Sequence, residues 1–127
     1  MNKLKFRIWT GEYFMYSGST PSMLSGFFND TAFYNTYLNF PYEQFTGLHD
    51  KNGKEIYEGD IVNGEELNYR VIFMYGSFEI NDPNCCSECK EGRGSHGGLN
   101  EYLATSGIVI TVIGNIHENP ELLEKNK

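Results

Sequence analysis

Residues Phe45-Thr-Gly-Leu-His-Asp-Lys-Asn-Gly-Lys-Glu-Ile-Tyr-Glu-Gly-Asp-Ile-Val62 set two turn signals between three short apolar runs. Within Asp50-Lys51-Asn52-Gly53, the Asn-Gly pair tolerates the positive φ that a tight hairpin turn requires. Glu58-Gly59-Asp60 is a second corner, delivering the chain into Ile61 and Val62. Strands meeting at tight corners make a small β domain, and the rest of the chain can be arranged around these two turns.

Towards the N-terminus, Glu43 to Leu48 reads as the strand that enters the first corner. Leu4, Phe6 and Ile8 alternate with Lys5, Arg7 and Trp9, the period of two of a half-buried strand. Thr10-Gly11-Glu12 is a turn from which Tyr13-Phe14-Met15-Tyr16 pairs back as a hairpin. Ser17 to Pro21 breaks the pattern. Between Met23 and Tyr42 the signal is mixed. Asn29-Asp30-Thr31 is placed to cap a short helix through Ala32, Phe33 and Tyr37, but aromatic residues dilute helix propensity and Asn39-Phe40-Pro41 would stop it. An irregular segment is expected there.

Towards the C-terminus, Asn63-Gly64 offers another turn. Leu67 to Tyr75 follows as a strand, with Tyr69, Val71 and Phe73 on one face and Arg70, Ile72 and Met74 on the other. Gly76-Ser77 reads as a two-residue loop returning through Phe78-Glu79-Ile80. The composition then breaks at Asn81-Asp-Pro-Asn-Cys-Cys-Ser-Glu-Cys-Lys-Glu-Gly-Arg-Gly-Ser-His-Gly-Gly98, where nothing is expected to pack a core. Loops beyond about 12–15 residues are uncommon in compact domains unless tied by a ligand, disordered or functional. Leu99 to Ala104 reads as a short helical turn. Gly107 to Ile113 is the most apolar run, short and β-branched, and is expected as a central strand buried on both faces. Gly114-Asn115 bends the chain. Asn119-Pro120-Glu121 then starts a terminal helical turn with an Asn cap, Pro at the first position and an acid near the positive end. Leu122 and Leu123 would dock it.

The fold class expected is therefore mainly β, a small barrel with added N-terminal strands and short helical turns, one of them at the C-terminus. A length of 127 residues fits a single domain, 1–127, able to bury roughly two-thirds of its unfolded surface. Residues 1–44 would supply N-terminal strands and an aromatic-rich segment, and 45–127 the barrel core. Nine Tyr, nine Phe and one Trp suit strands, where rings pack across a pleated face.

The formal charge is −7 and the pI about 4.9. Phosphate-binding surfaces carry a basic stripe. Here basic residues are scattered apart from Lys3, Lys5 and Arg7, which disfavours nucleic acid and an anionic membrane surface. The opening residues alternate rather than forming a signal peptide, and no later run is long enough to span a bilayer, so a cytoplasmic place is expected. Cys85, Cys86 and Cys89 form one odd-numbered cluster. That is no disulfide framework, and reduced thiols are the default.

Few residues point to chemistry. Cys86-x-x-Cys89 has the spacing of half a zinc site, with Cys85 and His96 as third and fourth ligands. A second Cys pair is missing, and adjacent Cys85 and Cys86 point apart, so the default is a mobile loop with free thiols. No other cofactor is expected. Glu55, Glu58 and Asp60 gather carboxylates at one corner, as an acid–base pair or a hard-cation site would require, yet Gly-Asp before a strand is ordinary turn chemistry. His49 and His117 lack a nucleophile or orienting acid nearby in sequence. Ser77, Ser95 and Ser106 sit in plain turn contexts. Gly92-Arg93-Gly94 and Gly97-Gly98 do not both follow a strand and open a helix, and no Gly-Lys-Ser/Thr appears, which excludes a phosphate loop. No catalytic residue is expected. The aromatics Tyr13, Phe14, Tyr16, Phe27, Phe28, Phe33, Tyr34, Tyr37 and Phe40 exceed what so small a core hides, and surplus Tyr and Phe serve interfaces as anchors. Core and interface are evenly matched for residues 26–42.

Three blocks together resemble the YopX-like family of phage and prophage proteins: Lys5-Phe-Arg-Ile-Trp9, the stretch Phe45 to Val62, and Val112-Ile-Gly-Asn-Ile-His-Glu-Asn-Pro-Glu-Leu-Leu123. The resemblance implies a β-rich pseudo-barrel related to SH3-type barrels, a bacterial host, and no transferable activity. Ser17 to Tyr42 and the Cys-rich loop depart from the family's pattern. The function expected is a non-enzymatic accessory protein that self-associates or binds a protein partner through the aromatic segment. The alternatives are a nucleic-acid-directed binder or nuclease using the barrel face, with a zinc-held loop, and an acidic mimic of nucleic acid. The first of these rests on fold analogy.

Overall fold

The computed structural model describes residues 5–16, 42–64, 67–74, 76–91, 94–100 and 109–126. The chain divides into two compact units, Met1–Phe45 and Thr46–Lys127. In the first, β1 (Phe6–Trp9) and β2 (Phe14–Tyr16) form the expected antiparallel hairpin, with Ile8 opposite Met15. Thr10 builds its corner. The hydroxyl oxygen accepts the amides of Glu12 and Tyr13 at 3.4 and 3.3 Å and donates to the Tyr13 carbonyl at 3.0 Å. On the other side of β1 lies β3 (Tyr42–His49), with Arg7 opposite Glu43. The break at Ser17 to Pro21, the cap at Asn29-Asp30-Thr31 and the irregular segment before Tyr42 lie outside the described residues.

β3 runs on into the second unit, where its neighbour is β4 (Glu55–Tyr57). A second antiparallel sheet contains β5 (Asp60–Gly64), β6 (Leu67–Met74), β7 (Ser77–Asn81) and β8 (Ile110–Asn115) in the order β7-β6-β5-β8. The core joins Ile56, Val62, Tyr69, Val71, Ile80, Leu99 and Ile110. Each wholly buried aliphatic side chain among them contributes about 1.5–3 kcal/mol. The expectation of a mainly β fold with a helical turn at the C-terminus is met.

Both corners form where the turn residues place them. At the first, Gly53 takes φ 83°, a conformation costly for any residue with a Cβ. Asp50 Oδ1 accepts the amides of Asn52 and Lys54 at 2.9 and 3.0 Å, and Oδ2 accepts that of Val112 at 2.9 Å. One carboxylate thereby closes a local turn and ties it to β8. At the second, Asp60 Oδ2 accepts the Tyr57 amide at 2.8 Å. Gly59, at φ 86°, donates its amide to the Val71 carbonyl and accepts that of Ile116, both at 2.9 Å.

Several local expectations are corrected. Among the described strands β8 stands at the edge of its sheet rather than in the centre, and Ile113 on it and Val109 just before it are exposed. Its β-branched residues specify a strand but not its neighbours. Asn63-Gly64 closes β5 rather than turning, because Gly64 is still paired with Leu67. Cross-strand bonding from the Asn63 side-chain amide to Asn68 Oδ1 at 2.8 Å suits that register. Met74 pairs with Ser77, so Ser77 opens β7 rather than lying in the expected Gly76-Ser77 loop. The terminal turn, a 3-10 helix over Pro120–Asn126, packs on β6 and buries Leu123. Its Asn119 side chain does not cap forward. Instead Oδ1 accepts the Asn115 amide at 3.3 Å, lying against Gly114, where a Cβ would run into it. The helical turn expected over Leu99 to Ala104 falls mostly outside the described residues, though Leu99 is wholly buried.

Candidate functional site

The Cys-rich loop packs against the second sheet rather than standing off it. α1 (Ser87–Lys90) is one short turn whose last carbonyls are held by Arg70, with Nη2 donating to Cys89 O at 2.7 Å and Lys90 O at 3.0 Å. A cation at the carbonyl end of a helix is favourably placed. Arg70 Nε also donates to Asn81 Oδ1 at 2.7 Å, and Asn81 Nδ2 donates to the Gly94 carbonyl at 2.6 Å. Asn81 is wholly buried. The far side of the loop adds to the sheet, His96 N donating to Ile80 O at 2.8 Å and Ile80 N to Gly97 O at 3.0 Å. The expectation that nothing here packs a core is therefore corrected. Cys89 is buried, and Gly94 lies so close that a Cβ there would strike its sulfur.

These anchors bring Cys85, Cys89 and His96 together, their donor atoms all within 4.8 Å of one another. Cys86, the fourth residue singled out in the sequence, stands at the residue before α1 with no side-chain cap bond and falls outside that set. Burial, followed by the neighbouring Cys86 thiol, pushes the Cys89 thiol up to about 11. The Cys89 backbone amide, followed by the Cys89 thiol, pulls Cys86 below its ordinary value. Cys85 and Cys86 are exposed. Asp82 N donates to His96 Nδ1 at 3.3 Å, and the imidazole stands 5.7 Å from the Tyr69 ring, centroid to centroid. Two sulfurs and an imidazole are donors suited to a soft or borderline divalent ion.

The other singled-out residues are placed otherwise. Asp60 is buried and holds the second corner, while Glu55 Oε1 accepts the Tyr57 hydroxyl at 3.3 Å. Glu58 is half-buried in the turn; His49 is exposed and His117 half-buried. Ser77 and Ser95 both donate to Glu79, at 3.2 and 3.1 Å. Gly92 and Ser106 lie outside the described residues.

In the first unit, Arg7, Trp9, Phe14 and Tyr16 share one face of the β1–β2 hairpin, since Trp9 pairs with Phe14 and Arg7 with Tyr16. Trp9 and Phe14 meet edge to face at 4.9 Å, and Phe14 and Tyr16 are 6.0 Å apart. The Arg7 guanidinium lies 4.0 Å from the centre of the Phe14 ring while Nε donates to Glu43 at 2.8 Å. Tyr13 is 56% exposed and Tyr16 47%. Of the nine aromatics singled out, Phe27 to Phe40 lie outside the described residues. Sequence reasoning missed the roles of Arg70, Asn81 and Arg7. Each bonds to a group far along the chain, and alternation alone gives no sign of it.

A family model described as YopX protein matches residues 5–124. The chain belongs to the YopX family. The matched span contains both corners, the hairpin and the Cys85–His96 cluster. Among solved structures, the YopX-family chain is similar to the crystal structure of protein EF1440 from Enterococcus faecalis. The identity is 24% and the TM-score 0.52, over 97% of this chain and 99% of that one. That is a likeness of fold. No curated protein matches the chain. Among the described residues, no helix is long and apolar enough to cross a membrane.

Proposed function

We propose that this YopX-family chain is a non-enzymatic accessory protein of phage or prophage, acting in the bacterial cytoplasm by binding protein, a second copy of itself first of all. The observation that carries the reading is the aromatic face of the β1–β2 hairpin, where Trp9, Phe14 and Tyr16 line up over Arg7 and Tyr13 and Tyr16 remain about half exposed. Aromatics and arginine are what protein interfaces use as anchors. The phage setting rests on the family resemblance alone.

The buried acids support a non-enzymatic role. Among the described residues Asp50 is engaged by three backbone amides, Asp60 by the Tyr57 amide, Asp82 by the Asn84 amide and Glu43 by Arg7. A general base needs a lone pair within reach of a substrate proton, whereas these carboxylates hold turns and strands. The net charge of −7 speaks against a nucleic-acid partner.

Light scattering on the eluting full-length chain across a concentration series tests the proposal. A mass that rises with concentration is expected, and Tyr13→Ser with Tyr16→Ser should return it to one chain. A single-chain mass throughout, together with a salt-dependent gel shift on DNA or RNA, would favour the nucleic-acid alternative instead.

A further inference from the structure

We propose that Cys85, Cys89 and His96 form a zinc site that staples the loop after β7 to the edge of the sheet, with Cys86 outside the coordination sphere. The three donor atoms already lie within 4.8 Å of one another. Tetrahedral zinc with Zn–S near 2.3 Å sets two sulfurs about 3.8 Å apart, so each donor closes in by about 1 Å at most. Side-chain rotation covers that distance.

The backbone beneath the ligands is fixed independently of any ion. Cys89 stands on a carbonyl held by Arg70, Gly94 is held by Asn81, and His96 is paired with Ile80. Neighbours that lock ligands in place distinguish a built site from a chance meeting of side chains. Cys85 is positioned in turn by its amide, which donates to the Asp82 carbonyl at 3.2 Å. Gly94 has a particular part. With a Cβ there, the Cys89 sulfur would be displaced.

The charges also balance. Two thiolates and a neutral imidazole neutralise Zn2+, and binding releases the two thiol protons to solvent. Besides that closing-in, the hydrogen bond of His96 must give way. Its Nδ1 lone pair accepts the Asp82 amide at 3.3 Å, so the metal takes Nδ1 in place of that long bond, or takes Nε2 once the proton has moved to Nδ1. The exposed position of Cys85 leaves the fourth vertex to water.

The experiment uses the full-length chain, purified without chelator and then stripped, reloaded with Zn2+ and, separately, with Co2+. Elemental analysis should give one zinc per chain, and Co2+ should give the absorption of a tetrahedral ion with two thiolates. Cys85→Ser and His96→Gln should each weaken zinc by at least about tenfold, while Cys86→Ser should retain it. Cys85 and His96 are exposed, so these variants keep the core. Hydrogen exchange should slow at residues 82–91 when zinc is added. The site is overturned if the stripped protein takes up no zinc, if Cys85→Ser and His96→Gln bind as the wild type does, or if Cys86→Ser loses the metal.

Discussion

Arg7 and Glu43 are both buried and paired at 2.8 Å, and a single cut through this pair takes that opposite charge away from a buried ion. Arg7→Ala should lower stability by about 3–5 kcal/mol, whereas Arg7→Met with Glu43→Leu should be close to neutral. Urea titrations of the three chains separate the two outcomes. At Asp50, burial alone would raise the carboxyl's pKa, but the amides of Val112, Lys54 and Asn52, with the Lys54 charge, outweigh it and hold the group below its ordinary value. A carboxylate depressed on folding stabilises the protein above its unfolded pKa, and the contribution fades as pH falls through the folded one. Asp50→Asn sets an NH2 against the Val112 amide and should cost about 1.5–3 kcal/mol at pH 7. The gap between variant and wild type should close below about pH 4, which denaturation at a series of pH values will reveal. Asp50, Gly53 and Asp60 were legible in the sequence because their bonds are mostly local. Arg7 with Glu43, 36 residues apart, carries no such local sign.

Whole strands were legible through alternation and β-branching, but their neighbours were not. The run to Ile113 makes a strand in any arrangement, and only pairing with β5 puts it at an edge among the described strands. Turns were read less well than strands, since Asn63-Gly64 and Gly76-Ser77 each include a residue that the true register pairs within a strand. Two substitutions test the elements as packed. Gly59→Ala forces a Cβ into φ 86° while both peptide groups stay bonded, and should cost about 1–2 kcal/mol. Gly114→Ala drives a methyl into Asn119 and should cost about 1–3 kcal/mol. Both are read from the shift in urea midpoint. Equal stability in Gly114→Ala would mean that Asn119 moves aside freely.

For the molecule as a whole, composition pointed to strands and to aromatic surplus, and the described hairpin displays part of that surplus at its surface. The sequence named the Cys85, Cys86, Cys89 and His96 group but could not rank its members. Whether a cysteine faces a histidine depends on Arg70 on β6 and Asn81 at the end of β7, which fix the loop. The central claim is that the chain works by binding protein through the aromatic face of its first unit. Native mass spectrometry of the full chain over a range of concentrations tests it most directly. The account predicts multiples of the chain mass that collapse to one in Tyr13→Ser with Tyr16→Ser; a single mass at every concentration in the wild type, or multiples that persist unchanged in the double variant, would contradict it.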